Sequence, residues 1–155
     1  MYNLKMENIV KLDEIINEWK KDCEVDITNL GSESIKIPKL HSKYLSMYYS
    51  ERRELKAYEL KKDDLYYMKH RYYNGRMTQE ELDQNGWEPF LEDLKTKSAI
   101  DSYIQADKDY KTVNVRIINQ NEKISLLEEI IKHINQRNFQ IKNAIDYYKF
   151  TNAQY

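Results

Sequence analysis

The chain contains only three glycines and two prolines among its 155 residues, so few positions can interrupt a helix. Charged residues make up 33% of the sequence and hydrophobic residues 41%. Sandwich and barrel folds need many turn residues, which this sequence lacks. The sequence therefore predicts an all-α fold with long helices.

Membrane, secreted and disulfide-linked proteins are not expected from this sequence. No run approaches the roughly 18 apolar residues of a membrane-spanning helix. Residues 1–7 lack the basic and apolar regions of a secretory signal. Cys23 is the single cysteine, so it cannot form a disulfide within the chain. We expect it to be a small buried side chain in a protein of the reducing cytoplasm.

No glycine or proline intervenes between Pro38 and Tyr73. Proline suits the first turn of a helix, and Gly75 stands where a carboxyl-terminal cap is expected. We predict one helix over about residues 38–73, roughly 54 Å long at 1.5 Å per residue. A further helix is predicted over residues 4–21, followed by a turn-rich segment over residues 22–37.

Shorter helices are predicted in the next segment. Thr78 and Glu81 have the spacing of a capping box, which opens a short helix. Pro89 is predicted to begin another short helix, and Trp87 and Phe90 are expected to anchor this segment to the rest of the protein.

The net charge of −1 conceals a segmented distribution. Residues 36–76 carry 11 basic and 5 acidic side chains, whereas residues 77–109 carry 3 basic and 9 acidic ones. The basic block also holds eight of the fourteen tyrosines. Cations neutralise phosphates and aromatic rings stack on unpaired bases, so this combination is typical of single-stranded nucleic-acid binding. Tyrosines at a core edge and solvated surface cations would give the same pattern.

A seven-residue repeat extends along the carboxyl-terminal part of the chain. Two mostly apolar rows begin at Tyr110 and Val113 and end at Ile131 and Ile134, with one polar interruption at Gln120. Such rows predict a coiled-coil-like surface, used between chains or packed inside the monomer. We predict the following residues as oligomerisation contacts: Tyr110, Val113, Ile117, Ile124, Leu127, Ile131, Ile134, Phe139 and Ile145.

The repeat is predicted to end at Arg137-Asn138, because asparagine tolerates the left-handed conformation that ends helices. A last amphipathic helix follows over residues 139–150. Its apolar face predicts docking on its own domain or on a neighbouring subunit.

No catalytic or metal-binding pattern is present in the sequence. His41, His70 and His133 have no metal-ligand spacing to one another or to Cys23. The three glycines are isolated, so there is no glycine-rich phosphate loop. We therefore expect no enzyme activity, no cofactor and no metal ion.

Several short motifs follow one another along the chain: Trp19-Lys20-Lys21-Asp22, Val25-Asp26, His41-Ser42-Lys43-Tyr44-Leu45, Tyr72-Tyr73-Asn74-Gly75, Ala106-Asp107-Lys108-Asp109 and Arg137-Asn138-Phe139-Gln140-Ile141-Lys142-Asn143. Together, over about residues 12–150, the sequence resembles the UvsY family, the recombination mediators of tailed phages. Asn138 stands where relatives have glycine.

The resemblance implies a phage accessory protein in the host-cell cytoplasm that binds single-stranded DNA during recombination, repair and replication. Members contact a RecA-like phage recombinase and the phage single-strand-binding protein, and help the first replace the second on the strand. They assemble as closed homo-oligomers, so a hexamer or heptamer is implied for this chain.

The family's DNA contacts lie on the basic helix before the Tyr-Tyr-x-Gly element, where Arg52, Arg53, Lys62 and Lys69 match in charge. This chain has Tyr67 where the family has lysine, and Arg71 where the family has an acidic residue. A phosphate contact therefore moves to residue 71, or the tyrosine stacks on a base. We predict the following DNA contacts: Lys43, Arg52, Arg53, Lys56, Lys61, Lys62, Tyr67, Lys69, Arg71 and Arg76.

We expect a single, elongated helical domain over residues 1–155 that assembles into a symmetric homo-oligomer. Residues 1–97 are expected to bind DNA and residues 98–155 to oligomerise. The acidic residues 80–109 are a candidate docking surface for a basic partner or a neighbouring subunit. The alternative is a helical adaptor that binds no DNA and whose basic helix pairs with residues 77–109 of a neighbour.

Overall fold

The computed structural model describes residues 12–152. Within them the chain is helical and contains no strand, so the predicted all-α fold is confirmed. The helices are α1 (Leu12–Asp22), α2 (Leu30–Tyr73), α3 (Gln79–Asn85), α4 (Lys97–Ala106) and α5 (Lys108–Asn152). The predicted helical residues 4–11 lie outside the described residues. Over residues 12–152, no helix combines the length and apolarity that a membrane span requires.

The described helices form two compact units. The central unit comprises residues 54–120, and the terminal unit comprises residues 12–53 and 121–152. Each unit takes part of α2 and part of α5. The units therefore do not follow the division into residues 1–97 and 98–155 that the sequence predicts.

The core of the terminal unit combines side chains from α1, α2 and α5. Tyr44 of α2 and Leu127 and Ile134 of α5 are completely buried in it. On α5, buried positions recur every seven residues in two rows, 127/134/141 and 123/130/137. Leu127 and Ile134 belong to a predicted row, which the structure shows packed inside the chain. The second row includes the cations Lys123 and Arg137, which a search for apolar repeats cannot detect.

Helix α5 continues past Arg137 and Asn138, so the predicted break there is wrong. The buried Arg137 guanidinium donates from Nη2 to the backbone oxygens of Asp22 at 3.0 Å and Cys23 at 2.7 Å. It thereby satisfies carbonyl groups at the carboxyl-terminal end of α1. Cys23 itself is exposed, not buried as predicted, and its thiol donates to the Lys20 carbonyl at 3.3 Å.

Helix α2 begins at Leu30, eight residues before the predicted start at Pro38. The side chain of Asn29 accepts a hydrogen bond from the backbone of Ser32 at 3.3 Å, which caps the first turn. Pro38 lies inside the helix, where it deprives the Ser34 carbonyl of its usual donor. Both residues are exposed, so water can hydrate that carbonyl. The predicted end of the helix, at Tyr73, is confirmed.

The core of the central unit contains Ile100, Ile104 and Tyr110, with Leu65 and Tyr73 packed against it. The predicted capping box is present on α3: the Thr78 hydroxyl accepts from the Glu81 backbone, and the Glu81 carboxylate accepts from the Thr78 backbone.

The short helix predicted to begin at Pro89 is absent from the structure, which has no helix between Asn85 and Lys97. The Tyr72 hydroxyl donates to the Glu88 carbonyl at 2.8 Å, an oxygen that such a helix would use itself. The rings of Trp87 and Phe90 lie 5.1 Å and 5.8 Å from the Tyr72 ring, which confirms the predicted anchoring of this segment.

A break between α4 and α5, which the sequence did not reveal, occurs at Asp107. One carboxylate oxygen of Asp107 accepts from the backbone of Asp109 at 2.9 Å and of Tyr110 at 3.2 Å, which caps α5. The other oxygen contacts Lys69 and Tyr73 of α2. Asp107, at the junction of α4 and α5, therefore connects these two helices to α2.

Replacing Gly75 with alanine is expected to lower the free energy of unfolding by about 1 kcal/mol. Gly75 has φ +63° at the end of α2, a left-handed conformation that costs an L-residue energy, although no atom lies within 4 Å of the added methyl. Gly31→Ala is the matched control, because Gly31 lies in the first turn of α2 with similar open space. That change should raise stability by about 0.5 kcal/mol. Equal effects of the two substitutions in urea unfolding would contradict this assignment.

Candidate nucleic-acid interface

The predicted DNA contacts differ in whether carboxylates already neutralise them. Lys69 is only 4% exposed, and its Nζ lies 2.9 Å from Asp107 and 2.8 Å from Asp109. The same ammonium group lies 3.9 Å from the centre of the Trp87 ring. A lysine enclosed in this way cannot reach a phosphate unless the central unit opens. The prediction that Lys69 contacts DNA is therefore corrected: its place in the structure is that of a packing residue.

Arg71 is also paired. Its guanidinium donates to both oxygens of Glu81, at 2.6 Å and 2.9 Å, and to the Arg76 carbonyl at 3.2 Å. The hydrogen bonds from Arg71 hold the pKa of Glu81 below its ordinary value, with a smaller contribution from the Thr78 backbone. The fork of donors that would bind a phosphate is occupied, so the structure does not support a contact moved to residue 71.

Lys43 and Lys56 both form ion pairs with carboxylates, and the pairing of Lys43 is the stronger of the two. The Nζ of Lys43 lies 2.9 Å from Glu18 and 2.7 Å from Asp22. Burial lowers the pKa of Lys43, but the hydrogen bonds to these two carboxylates outweigh it and raise the pKa overall. Lys56 pairs with Glu59 at 3.2 Å on an exposed helix face, where such pairs contribute little and exchange easily with another anion.

The acidic segment 77–109 docks on α2 of the same chain. Glu81 binds Arg71, Asp101 accepts from the Tyr66 hydroxyl at 2.7 Å, and Asp107 accepts from the Tyr73 hydroxyl at 2.8 Å. All of these contacts lie within the central unit. The segment therefore has an intramolecular partner that the sequence prediction did not consider.

Acidification is expected to remove the stabilisation that Asp107 provides. Burial raises the pKa of Asp107, but hydrogen bonds from Lys69, Tyr73 and the Tyr110 backbone outweigh it and hold the pKa below 3.8. A lowered folded-state pKa stabilises the protein above the ordinary value and stops doing so as pH falls through the folded-state value. The difference in unfolding free energy between the wild type and Asp107→Asn should be constant above pH 5 and shrink below pH 4. If the difference in unfolding free energy between the wild type and Asp107→Asn stays constant from pH 6 to pH 2, this prediction is contradicted.

The cations without ion pairs are the better candidates for binding DNA. Arg52, Arg53, Lys61 and Arg76 are exposed, and none of them pairs with a carboxylate of residues 12–152. Lys62 is half-buried, with its Nζ 5.5 Å from the centre of the Tyr110 ring. These side chains can neutralise phosphates without displacing an internal carboxylate.

Two exposed tyrosines lie on α2, one in each unit. Tyr67 of the central unit is 65% exposed, as a side chain that stacks on a base must be. Tyr49 of the terminal unit is 55% exposed and was not among the predicted contacts. The pattern of tyrosines among cations includes Tyr49, but only the structure distinguishes it from the completely buried Tyr44.

Acidic side chains are distributed unequally along α2. From Ser34 to Arg53 the only acidic residue is Glu51, which is buried and lies 3.2 Å from the buried Lys123. The part of α2 in the central unit instead exposes Asp63 and Asp64. The exposed surface of α2 in the terminal unit is therefore the more favourable one for a polyanion.

The predicted oligomerisation residues are also divided. Tyr110, Ile124, Leu127 and Ile134 are buried within the chain, so the prediction that they contact another chain is corrected. Phe139 is 71% exposed. The remaining predicted contacts are half-buried, with Ile131 and Ile145 packed against the core of the terminal unit: Val113, Ile117, Ile131 and Ile145.

No group of three or more histidine, cysteine or acidic side chains is arranged to hold a metal ion among residues 12–152. His133 is exposed, and His41 and His70 are half-buried on α2.

The sequence and fold match proteins of known family. The model of the family described as "Recombination, repair and ssDNA binding protein UvsY" matches residues 18–154. The chain belongs to the UvsY family. It is therefore a member of a family of recombination, repair and single-stranded-DNA-binding proteins, and the predicted resemblance is confirmed.

Relatives of the UvsY family agree over nearly their whole length. The recombination protein uvsY of Enterobacteria phage T4 is 26% identical over 137 residues, which cover 88% of this chain and 94% of the relative. A crystal structure of the bacteriophage T4 recombination mediator protein UvsY (lattice type IV) shares the fold with a TM-score of 0.79 at 24% identity, covering 90% of this chain and 98% of that one. A second crystal form (lattice type II) gives 0.75 at 26% identity, covering 91% and 97%.

Proposed function

We propose that this chain is a recombination mediator: it binds single-stranded DNA and helps a RecA-like phage recombinase replace the single-strand-binding protein on the strand. The observation that carries the proposal is a set of exposed, unpaired cations beside an exposed tyrosine on α2, in a member of a single-stranded-DNA-binding family. The relative in phage T4 is described as a recombination mediator. No catalytic step is assigned to the chain.

The proposed DNA contacts are those the structure leaves accessible. Cations that neutralise phosphates release counterions, which supplies affinity without reading the sequence. Exposed rings add stacking on unpaired bases. We retain the following predicted residues as contacts: Arg52, Arg53, Lys56, Lys61, Lys62, Tyr67 and Arg76.

The proposed active form is a closed homo-oligomer, a hexamer or heptamer, in the cytoplasm of the host cell. Phe139 and Phe150 of α5 are each more than half exposed, which supports a contact between copies near the carboxyl-terminal end. Several copies presenting the same basic face to one strand would raise affinity without new contacts. Bending the strand around the oligomer would weaken its fit to the single-strand-binding protein.

The test is a loading assay on single-stranded DNA covered with the phage single-strand-binding protein. Recombinase and ATP are added with and without the wild-type chain, and DNA-dependent ATP hydrolysis is followed. We expect the chain to shorten the lag, and Arg52→Gln/Arg53→Gln to be defective. Lys142→Gln/Lys149→Gln, which removes two exposed cations from α5, is the matched control. A lag unchanged by the wild-type chain would contradict the mediator role.

The adaptor alternative predicts a different outcome in a simpler experiment. An adaptor should not bind a fluorescent oligonucleotide even at low salt. The central unit already forms, within one chain, the pairing between α2 and residues 77–109 that the adaptor would need between chains. This intramolecular docking favours the mediator.

A further inference from the structure

We propose that Tyr49 is a base-stacking residue that makes DNA binding selective for single strands, with Arg53 contacting the adjacent phosphate. The inference rests on the proposed function and goes beyond it, because it assigns discrimination between single and double strands to one side chain. Tyr49 is not among the contacts that the sequence predicts.

The ring of Tyr49 is held in place by a network on one side. The Tyr48 hydroxyl donates to Glu128 of α5 at 2.9 Å, and Arg52 donates to the same hydroxyl at 3.2 Å. The Arg52 guanidinium also lies 5.7 Å from the centre of the Tyr48 ring. These contacts fix Tyr48, and Tyr49 packs edge-on against it, with ring centres 5.3 Å apart and an interplanar angle of 70°. In an edge-to-face pair Tyr48 covers at most one face of the Tyr49 ring, so at least one face is left for stacking.

The surroundings of Tyr49 are suited to a nucleotide. Tyr49 is 55% exposed, and the exposed Ser46 and Ser50 beside it on α2 are too small to cover its ring. Arg53 is one helical turn away on the same face, is exposed, and pairs with no carboxylate of the described chain. At this spacing the ring of Tyr49 can stack on a base while Arg53 contacts the neighbouring phosphate.

Stacking explains selectivity, whereas charge does not. Both single and double strands carry phosphates, so arginines bind either form. Only an unpaired base offers a free face to a protein ring, and such stacking contributes to affinity whatever the base. Tyr49 should therefore increase affinity for single strands alone.

The experiment compares Tyr49→Phe, which keeps the ring, with Tyr49→Leu, which removes it. Tyr147→Leu is the matched control, because Tyr147 is 66% exposed and also packs edge-on against a neighbouring tyrosine, with ring centres 6.3 Å apart. Affinities are measured for a single-stranded oligonucleotide containing 2-aminopurine and for its duplex. The fluorescence of 2-aminopurine on binding reports stacking directly, and circular dichroism checks that each variant is folded.

We expect Tyr49→Leu to weaken single-strand binding about 5- to 150-fold, to reduce the fluorescence change, and to leave duplex affinity and the salt dependence unaltered. Tyr49→Phe and Tyr147→Leu should behave as the wild type. Tyr49→Leu with wild-type single-strand affinity, or with equal losses for both DNA forms, would overturn the proposal. If the wild type does not bind single strands, the proposed function fails instead.

Discussion

Lys69→Met is expected to lower the free energy of unfolding by about 3 kcal/mol while leaving single-stranded DNA affinity unchanged in the folded protein. Methionine keeps the apolar stem of the side chain against Trp87 but removes the charge that faces Asp107, whose side chain is 9% exposed. Breaking a buried ion pair leaves an uncompensated charge, which typically costs about 3–5 kcal/mol. The lower end applies because Asp107 keeps hydrogen bonds from Tyr73 and two backbone amides.

The control for Lys69→Met is Arg53→Met, which removes an exposed cation from the same helix. Its unfolding free energy should change by less than about 0.5 kcal/mol, whereas its DNA affinity should fall. Asp107→Asn combined with Lys69→Met should recover part of the lost stability, because no buried charge remains without a partner. Wild-type stability with reduced DNA affinity in Lys69→Met would show that Lys69 contacts DNA after all.

Ile134→Ala is expected to destabilise the protein by about 2–5 kcal/mol, because it removes three buried carbon atoms and leaves a cavity. Ile134 is 0% exposed and lies in the core of the terminal unit, against residues of α1 and α2. The change is measured as the free energy of unfolding in urea. The size of the loss within that range depends on how far the neighbouring side chains relax into the cavity.

Ile35→Ala is the matched control for this substitution. Ile35 is also on a helix of the terminal unit, but it is 81% exposed. Both substitutions replace isoleucine with alanine in a helix, so they change helix propensity by a similar amount. The difference between their effects on the free energy of unfolding therefore reports the contribution of burial. Equal stabilities of the two variants would mean that the repeat on α5 does not pack inside the chain.

The sequence was sufficient to predict the helices and several of their ends. The run without breakers predicted a helix ending at Tyr73, and Thr78 and Glu81 predicted a capping box, because these signals are local. The helix starts predicted at Pro38 and Pro89 and the helix break predicted at Asn138 were wrong. Beside Pro89 and Asn138, contacts of Glu88 and Arg137 with other parts of the chain outweighed the local preference. Pro38 is tolerated inside α2 because it and Ser34 are exposed.

The DNA site was predictable in its region but not in its residues. Charge and tyrosine content pointed to α2, but the sequence could not show that Lys69 and Arg71 face carboxylates far along the chain. It also could not separate the exposed Tyr49 from the buried Tyr44. Pairing and exposure depend on tertiary packing, and the most buried cations turned out to be structural.

The most direct test of the account is the salt dependence of single-stranded DNA binding by the wild type and Arg52→Gln/Arg53→Gln. Each phosphate contact contributes about 0.7 to the slope of log K against log salt. We predict that the double variant loses about 1.4 from this slope for every subunit that contacts the strand, and that Lys69→Met keeps the wild-type slope. A double variant with the wild-type slope would contradict the claim that the exposed arginines of α2 hold the DNA.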